Sequence, residues 1–176
     1  FLDVNDAALA LSEDSLSSTE LVEASLSKIK TEGKELNAFI HVESVSSKKE
    51  AALSDARRRN GTLLSPLDGI PIAVKDNIDV LGQPTTNGLG TQWFPSQDAH
   101  IIKSLRNKGM IFIGKTNMHE AALGATTDNP HHGKCINPKI LRHTPGGSSG
   151  GSGAAVSGCL CPVALGTDTM GSVRVP

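Results

Sequence analysis

Aromatic residues are scarce in this sequence: four phenylalanines, one tryptophan and no tyrosine among 176 residues. So few rings leave little on which bases could stack. With a net charge of −1 and lysines and arginines scattered along the chain, there is no basic face either, so direct nucleic acid binding is not expected. Cysteine is equally sparse. Cys135, Cys159 and Cys161 are odd in number and lack a Cys-x-x-Cys spacing, which argues against a disulfide framework and a structural zinc site. Free thiols in a reducing cytoplasm are the default, and neither a metal nor another cofactor is expected. No apolar run approaches the length of a membrane span, and the opening Phe1-Leu-Asp-Val-Asn-Asp6 carries acid where a secretory leader carries base. A cytoplasmic protein without membrane contact is expected.

What is present is an ordinary globular composition, 38% hydrophobic and 20% charged, enough for one core. Glycine gathers in the last quarter, in Thr144-Pro-Gly-Gly-Ser-Ser-Gly-Gly-Ser-Gly153 and again from Gly166 to Gly171. Ordering so much glycine is entropically expensive, so such a loop normally brings backbone N–H groups close to something. A flexible linker is a poor reading, because the tract runs straight into Ala154-Ala-Val156 and the apolar Cys159–Leu165. A Walker-type phosphate loop is excluded because no Lys-Ser/Thr pair follows the glycines. Residues 146–150 do match Gly-x-Ser-x-Gly, yet that nucleophile elbow should follow a buried strand, which Arg142-His-Thr-Pro145 is not.

Upstream, residues 1–60 read as a helical segment. Asn5 or Asp6 can cap a helix through Ala7–Leu11, and Ser17 with Glu20 forms a capping box for a second. There Leu21, Val22, Leu26 and Ile29 share one stripe, and Gly33 is placed to end it. A third helix is predicted over residues 47–59, with Arg57-Arg-Arg59 as a solvated face. His41, in the apolar stretch before it, reads as a satisfied core residue. From Gly61 the pattern becomes α/β. A strand over Ile70–Val74 ends at Lys75, and a helix over residues 98–108 leads to the buried strand Met110–Ile113. Gly114–Met118 is expected to open another helix running through Glu120–Leu123. The paired His131 and His132 fall in a polar, turn-rich stretch and read as loop surface.

A serine nucleophile needs a base. Among the histidines only His143 lies near the glycine tract. A lysine can serve if its neutral form is favoured, and Lys75, at the end of an apolar strand, is the one best placed.

Four stretches together carry a resemblance. They are Gly69-Ile-Pro-Ile-Ala-Val-Lys-Asp-Asn-Ile78, Gly114-Lys-Thr-Asn-Met118, Pro145-Gly-Gly-Ser-Ser-Gly-Gly-Ser152 and Gly166-Thr-Asp-Thr-Met-Gly-Ser-Val-Arg174. They resemble the amidase signature family, and Thr19–Glu23 with Asn37–Phe39 extend the similarity over nearly the whole chain. The resemblance implies a mixed β-sheet core flanked by helices, here an incomplete one because the family's domain continues further, so the isolated chain is expected to be inactive. It implies amide hydrolysis through an acyl-enzyme, with Lys75 as base, Ser148 as bridging serine after a cis peptide bond, and Ser172 as nucleophile. The backbone N–H groups of Thr169, Met170 and Gly171, with that of Ser172, would form the oxyanion hole. Met170 stands where the family usually has glycine. A small-molecule amide is the implied substrate. Alternatives are the ammonia-donating component of a tRNA-dependent amidotransferase, with partner subunits, and a silent fragment that associates with itself or a missing half. A Ser-His esterase using Ser148 is a third.

Overall fold

The structure, a computed structural model, describes residues 2–176. Helix α1 (Val4–Ser12) begins earlier than the sequence predicts. The Asp3 carboxylate accepts the N–H groups of Asn5 at 2.7 Å and Asp6 at 2.9 Å, satisfying two of the helix's orphan donors, so Asp3 is the cap. Helix α2 (Ser18–Leu36) starts at the expected Ser17–Glu20 capping box. It does not stop at Gly33. That glycine faces Leu160, which comes within 3.1 Å of where a Cβ would lie, so it serves close packing, and the left-handed Asn37 (φ 48°) ends the helix instead. Strand β1 (Phe39–Val42) follows, then α3 (Ser44–Arg59), whose start is moved forward because Glu43 accepts the Ser46 N–H at 3.1 Å. His41 is half-buried with its Nε2 unpaired, 3.8 Å from Glu43, and burial pushes its imidazole pKa down; the polar satisfaction expected of it is absent.

Strands β2 (Pro71–Lys75) and β3 (Ile111–Thr116) are buried at every position, as continuous apolar runs in parallel strands should be. Helix α4 (His100–Asn107) links them, and β6 (Val163–Leu165) follows the late helix α5 (Gly150–Ser157). The two-residue strands β4 (Asp128–Asn129) and β5 (Gly133–Lys134) form a separate hairpin. The main sheet has the order β1-β3-β2-β6; β2 runs parallel to β3 and β6, and β1 antiparallel to β3. The period of two sorts the core. Ile72, Val74 and Phe112 pack with Leu11 of α1 and Ile102 of α4 on one face, while Ala73, Ile111 and Ile113 pack with Ala154 and Ala155 of α5 on the other. Each such Ile or Val contributes about 1.5–3 kcal/mol by leaving water.

The helix expected to open at Gly114 is not formed. Lys115 pairs with Val74 and Thr116 with Lys75, so the ladder carries on where a helix would have to begin. Only a 3₁₀ turn, Glu120–Ala122, follows; its Ala121 (φ 49°) and Ala122 (φ 61°) are left-handed, a conformation no α-helix contains. The carboxyl ends of β2, β3 and β6 therefore converge on one edge, from which loops, not helices, emerge. Among the described residues no helix is long and apolar enough to cross a membrane.

Candidate functional site

Lys75 closes β2 with its side chain fully buried. Its Nζ lies 2.7 Å from Ser148 Oγ and 2.8 Å from Thr167 Oγ1. Desolvation pushes the amine down to about 8, against a smaller upward pull from the Asp168 carboxylate. Thr167 Oγ1 also accepts from Asn77 Nδ2 at 3.0 Å. A second buried lysine, Lys115, ends up otherwise. It stands 3.6 Å from the buried Asp76 carboxylate and donates to Pro84 O and Thr85 Oγ1. The same carboxylate accepts from the N–H groups of Thr86 and Gly88 and from Thr86 Oγ1. Lys115 is thus a structural ion pair, and Lys75 is the lysine that faces a serine.

Ser148 sits in the glycine tract just before α5, and the Gly147–Ser148 bond is cis. Its carbonyl accepts the His119 N–H at 3.1 Å. The glycines let α5 begin against the loops that leave β3. A Cβ on Gly151 would overlap Asn117 O, and one on Gly150 would overlap Thr127 Oγ1. The Gly151 N–H instead donates to Asn117 O at 3.0 Å, and Ser152 Oγ shares a hydrogen bond with Thr116 Oγ1 at 2.8 Å.

Ser172 belongs to the loop that follows β6. Its carbonyl accepts the Ser149 N–H at 3.1 Å, which fastens this loop beside Ser148; its Oγ has no hydrogen-bond partner among the described residues. Ser149 is fastened at a second point, its Oγ donating to Thr167 O at 3.1 Å and accepting the Thr167 N–H at 3.3 Å. Around Ser172 the chain wraps the Asp168 carboxylate, which accepts from Arg174 Nε and Nη2, both at 3.0 Å, and from the N–H groups of Gly171 and Val173. The Arg174 guanidinium, with those amides, holds the Asp168 carboxyl well below the usual carboxylate range.

This wrapping engages one of the amides expected at the oxyanion hole. The Gly171 N–H is already donated to Asp168 Oδ1 at 2.7 Å, so of the three amides named as oxyanion donors only those of Thr169 and Met170 have no acceptor among the described residues. Met170 itself is accommodated. The left-handed turn falls on Gly171 (φ 111°), and the methionine side chain points outward, 93% exposed.

No histidine side chain hydrogen-bonds Ser148 or Ser172 among the described residues, and His143 is exposed. His131 is exposed and pairs with Glu120 at 3.0 Å, as a loop surface residue does. His132 is not a surface residue. It is half-buried, with Nε2 3.0 Å from both Thr86 Oγ1 and Leu89 O; a carbonyl can only accept, so Nε2 carries the hydrogen. Sequence reasoning also missed Thr167, Asn77 and Ser149, although Asn77 lies two residues after Lys75 and Thr167 five before Ser172. Among the described residues no group of three or more His, Cys, Asp or Glu is arranged to hold a metal ion.

Comparison with known proteins bears on the family and the fold. A family model described as amidase matches residues 20–176. The A-type subunit of glutamyl-tRNA(Gln) amidotransferase from Anaeromyxobacter sp. (strain K) is 41% identical over 99% of the chain, and its counterpart from Chloroflexus aggregans is 42% identical over 100%. The chain spans 36% of the length of each. Among solved structures, the native peptide amidase of Stenotrophomonas maltophilia superposes with a TM-score of 0.90 at 38% identity, over 98% of this chain and 37% of that one. The mixed sheet is therefore that of the amidase-signature fold. Sequence match and backbone superposition each cover most of the chain, and this chain belongs to the amidase family.

Proposed function

We propose that this chain, as one part of an amidase domain with residues 1–60 packed on a 61–176 core, carries an acylating site for carboxamides. The observation that carries the reading is a lysine amine, buried away from any carboxylate contact and lowered to about 8, set 2.7 Å from Ser148 Oγ. Thr167 Oγ1 uses its two acceptor positions on Asn77 and Lys75, which turns the lone pair of a neutral Lys75 toward the Ser148 hydroxyl. Ser172 Oγ attacks the carboxamide carbon while its proton passes to Ser148 Oγ and the Ser148 proton passes to Lys75 Nζ. The oxyanion that forms is held by the free amides of Thr169 and Met170 with that of Ser172, each donor contributing about 2.7–4 kcal/mol in well-studied hydrolases. The C–N bond then breaks, ammonia leaves with the proton returned from Lys75 through Ser148, and water releases the acid by the same relay.

A second reading has its own support in the relatives named as amidotransferase components. In it the amide is glutamine and the ammonia is passed to a partner protein. Both readings place the protein in the cytoplasm, and three free thiols suit a reducing compartment. Assaying ammonia release from glutamine and from simple primary amides, with and without candidate partner subunits, separates the two. Glutamine turnover that appears only with the partners favours the second.

Because the base must be neutral, turnover is expected to rise with pH and level off above about 8, where Lys75 has lost its proton. The check is kcat/KM against pH. A profile flat through that value, or one falling as pH rises, removes Lys75 from the role.

A further inference from the structure

We propose that Thr127 is a positioning residue that sets the place of Ser148 by bridging the chain on both sides of it. Its Oγ1 donates to the Gly146 carbonyl at 2.8 Å and accepts the Gly150 N–H at 3.1 Å. One hydroxyl thus spans the four-residue step whose middle holds Ser148, and Thr127 is fully buried. The inference rests on the reading of Ser148 as the serine that relays the proton.

Three further observations support it. Thr127 is left-handed (φ 52°), a region that a β-branched residue avoids unless its surroundings impose it, and such outliers gather at functional sites. Its own backbone is held firmly: Thr127 O accepts the Cys135 N–H at 3.0 Å, and two residues on, the buried Asn129 donates to Gly88 O and Met118 O and accepts from the N–H groups of His131 and His132. The two loops also touch closely. Thr144 Oγ1 donates to Thr126 O at 2.6 Å, and a Cβ on Gly147 would lie 2.7 Å from Thr126 N. The hydroxyl is therefore fixed from one side and acts on the serine loop from the other.

The test compares Thr127→Val, which keeps the shape and loses the hydroxyl, with Thr127→Ser, which keeps the hydroxyl. Thr127→Val is expected to lower kcat for a primary amide by about 10- to 100-fold with KM changed by no more than about twofold, because positioning acts on the reacting geometry and not on substrate binding. Thr127→Ser is expected to restore most of the rate. Independently of activity, amide hydrogen exchange at Gly150 is expected to speed up about tenfold or more in Thr127→Val and to stay near wild type in Thr127→Ser. If Thr127→Val does not fold, Thr127→Ala removes the same hydroxyl with less left-handed strain. Unchanged Gly150 exchange in the folded hydroxyl-free variant, or equal rate losses in the serine and valine variants, overturns the inference. A wild-type protein that carries the whole amidase domain and still turns over no carboxamide refutes the proposed function instead, and the exchange measurement still decides the role of Thr127.

Discussion

In a protein that carries the whole amidase domain, Ser172→Ala is expected to lower carboxamide turnover by about 10⁴- to 10⁶-fold, the range seen when a hydrolase loses its nucleophile. The effect is that large because no other hydroxyl is placed to replace it. Ser148 Oγ is engaged with Lys75, and Ser149 Oγ is taken up by the backbone of Thr167. Ser172 Oγ is free, in the loop whose Thr169 and Met170 amides have no acceptor among the described residues. A fluorophosphonate should therefore form its adduct on Ser172, as peptide mapping by mass spectrometry can establish. An adduct on Ser148 would mean that the Gly-x-Ser-x-Gly match is a true nucleophile elbow and that the assignment is wrong.

In the same whole-domain protein Lys75→Ala should cost about 10⁴-fold or more, since it removes the base and the hydrogen-bond partner of Ser148 together. Lys75→Arg should not rescue it, because a guanidinium stays protonated at any pH the protein survives. Steady-state rates for both variants beside His143→Ala make the comparison. His143 is exposed and hydrogen-bonds neither serine among the described residues, so its loss is expected to change the rate by less than about twofold. A His143→Ala loss matching that of Lys75→Ala would restore the Ser-His reading.

The parts of this molecule that repeat with a period were the parts readable from sequence. The stripe Leu21, Val22 and Ile29 and the unbroken apolar runs of β2 and β3 depend only on neighbours along the chain, and the β2 run alone puts Lys75 at a strand end. Errors arose where a local signal met a tertiary demand. Gly33 looked like a stop but makes room for Leu160, and Gly114-Lys-Thr looked like a helix start but completes the pairing with Val74 and Lys75. Thr127, Ser149 and Thr167 could not be singled out because their value comes from loops far apart in sequence that meet at one sheet edge. Nothing in Ala-Thr-Thr-Asp marks one threonine as the buried one. The hydrogen bond from the Gly171 N–H to Asp168 is hidden for a related reason, since that carboxylate sits three residues away in a turn whose shape no pattern announces.

The burial that suits Lys75 to accept a proton also contributes to how the fold responds to alkali. In the unfolded chain this amine would hold its proton up to about 10.5, whereas in the folded one it lets go at about 8. Between those values the unfolded chain binds the extra proton, so stability rises with pH across that window. Below about 8 both forms are charged and the penalty is present in full, on the order of 3 kcal/mol, a substantial part of the 5–15 kcal/mol that typically separates folded from unfolded domains. At neutral pH the fold thus carries the cost of keeping the Lys75 amine charged and buried, a cost that loss of its proton above about 8 relieves.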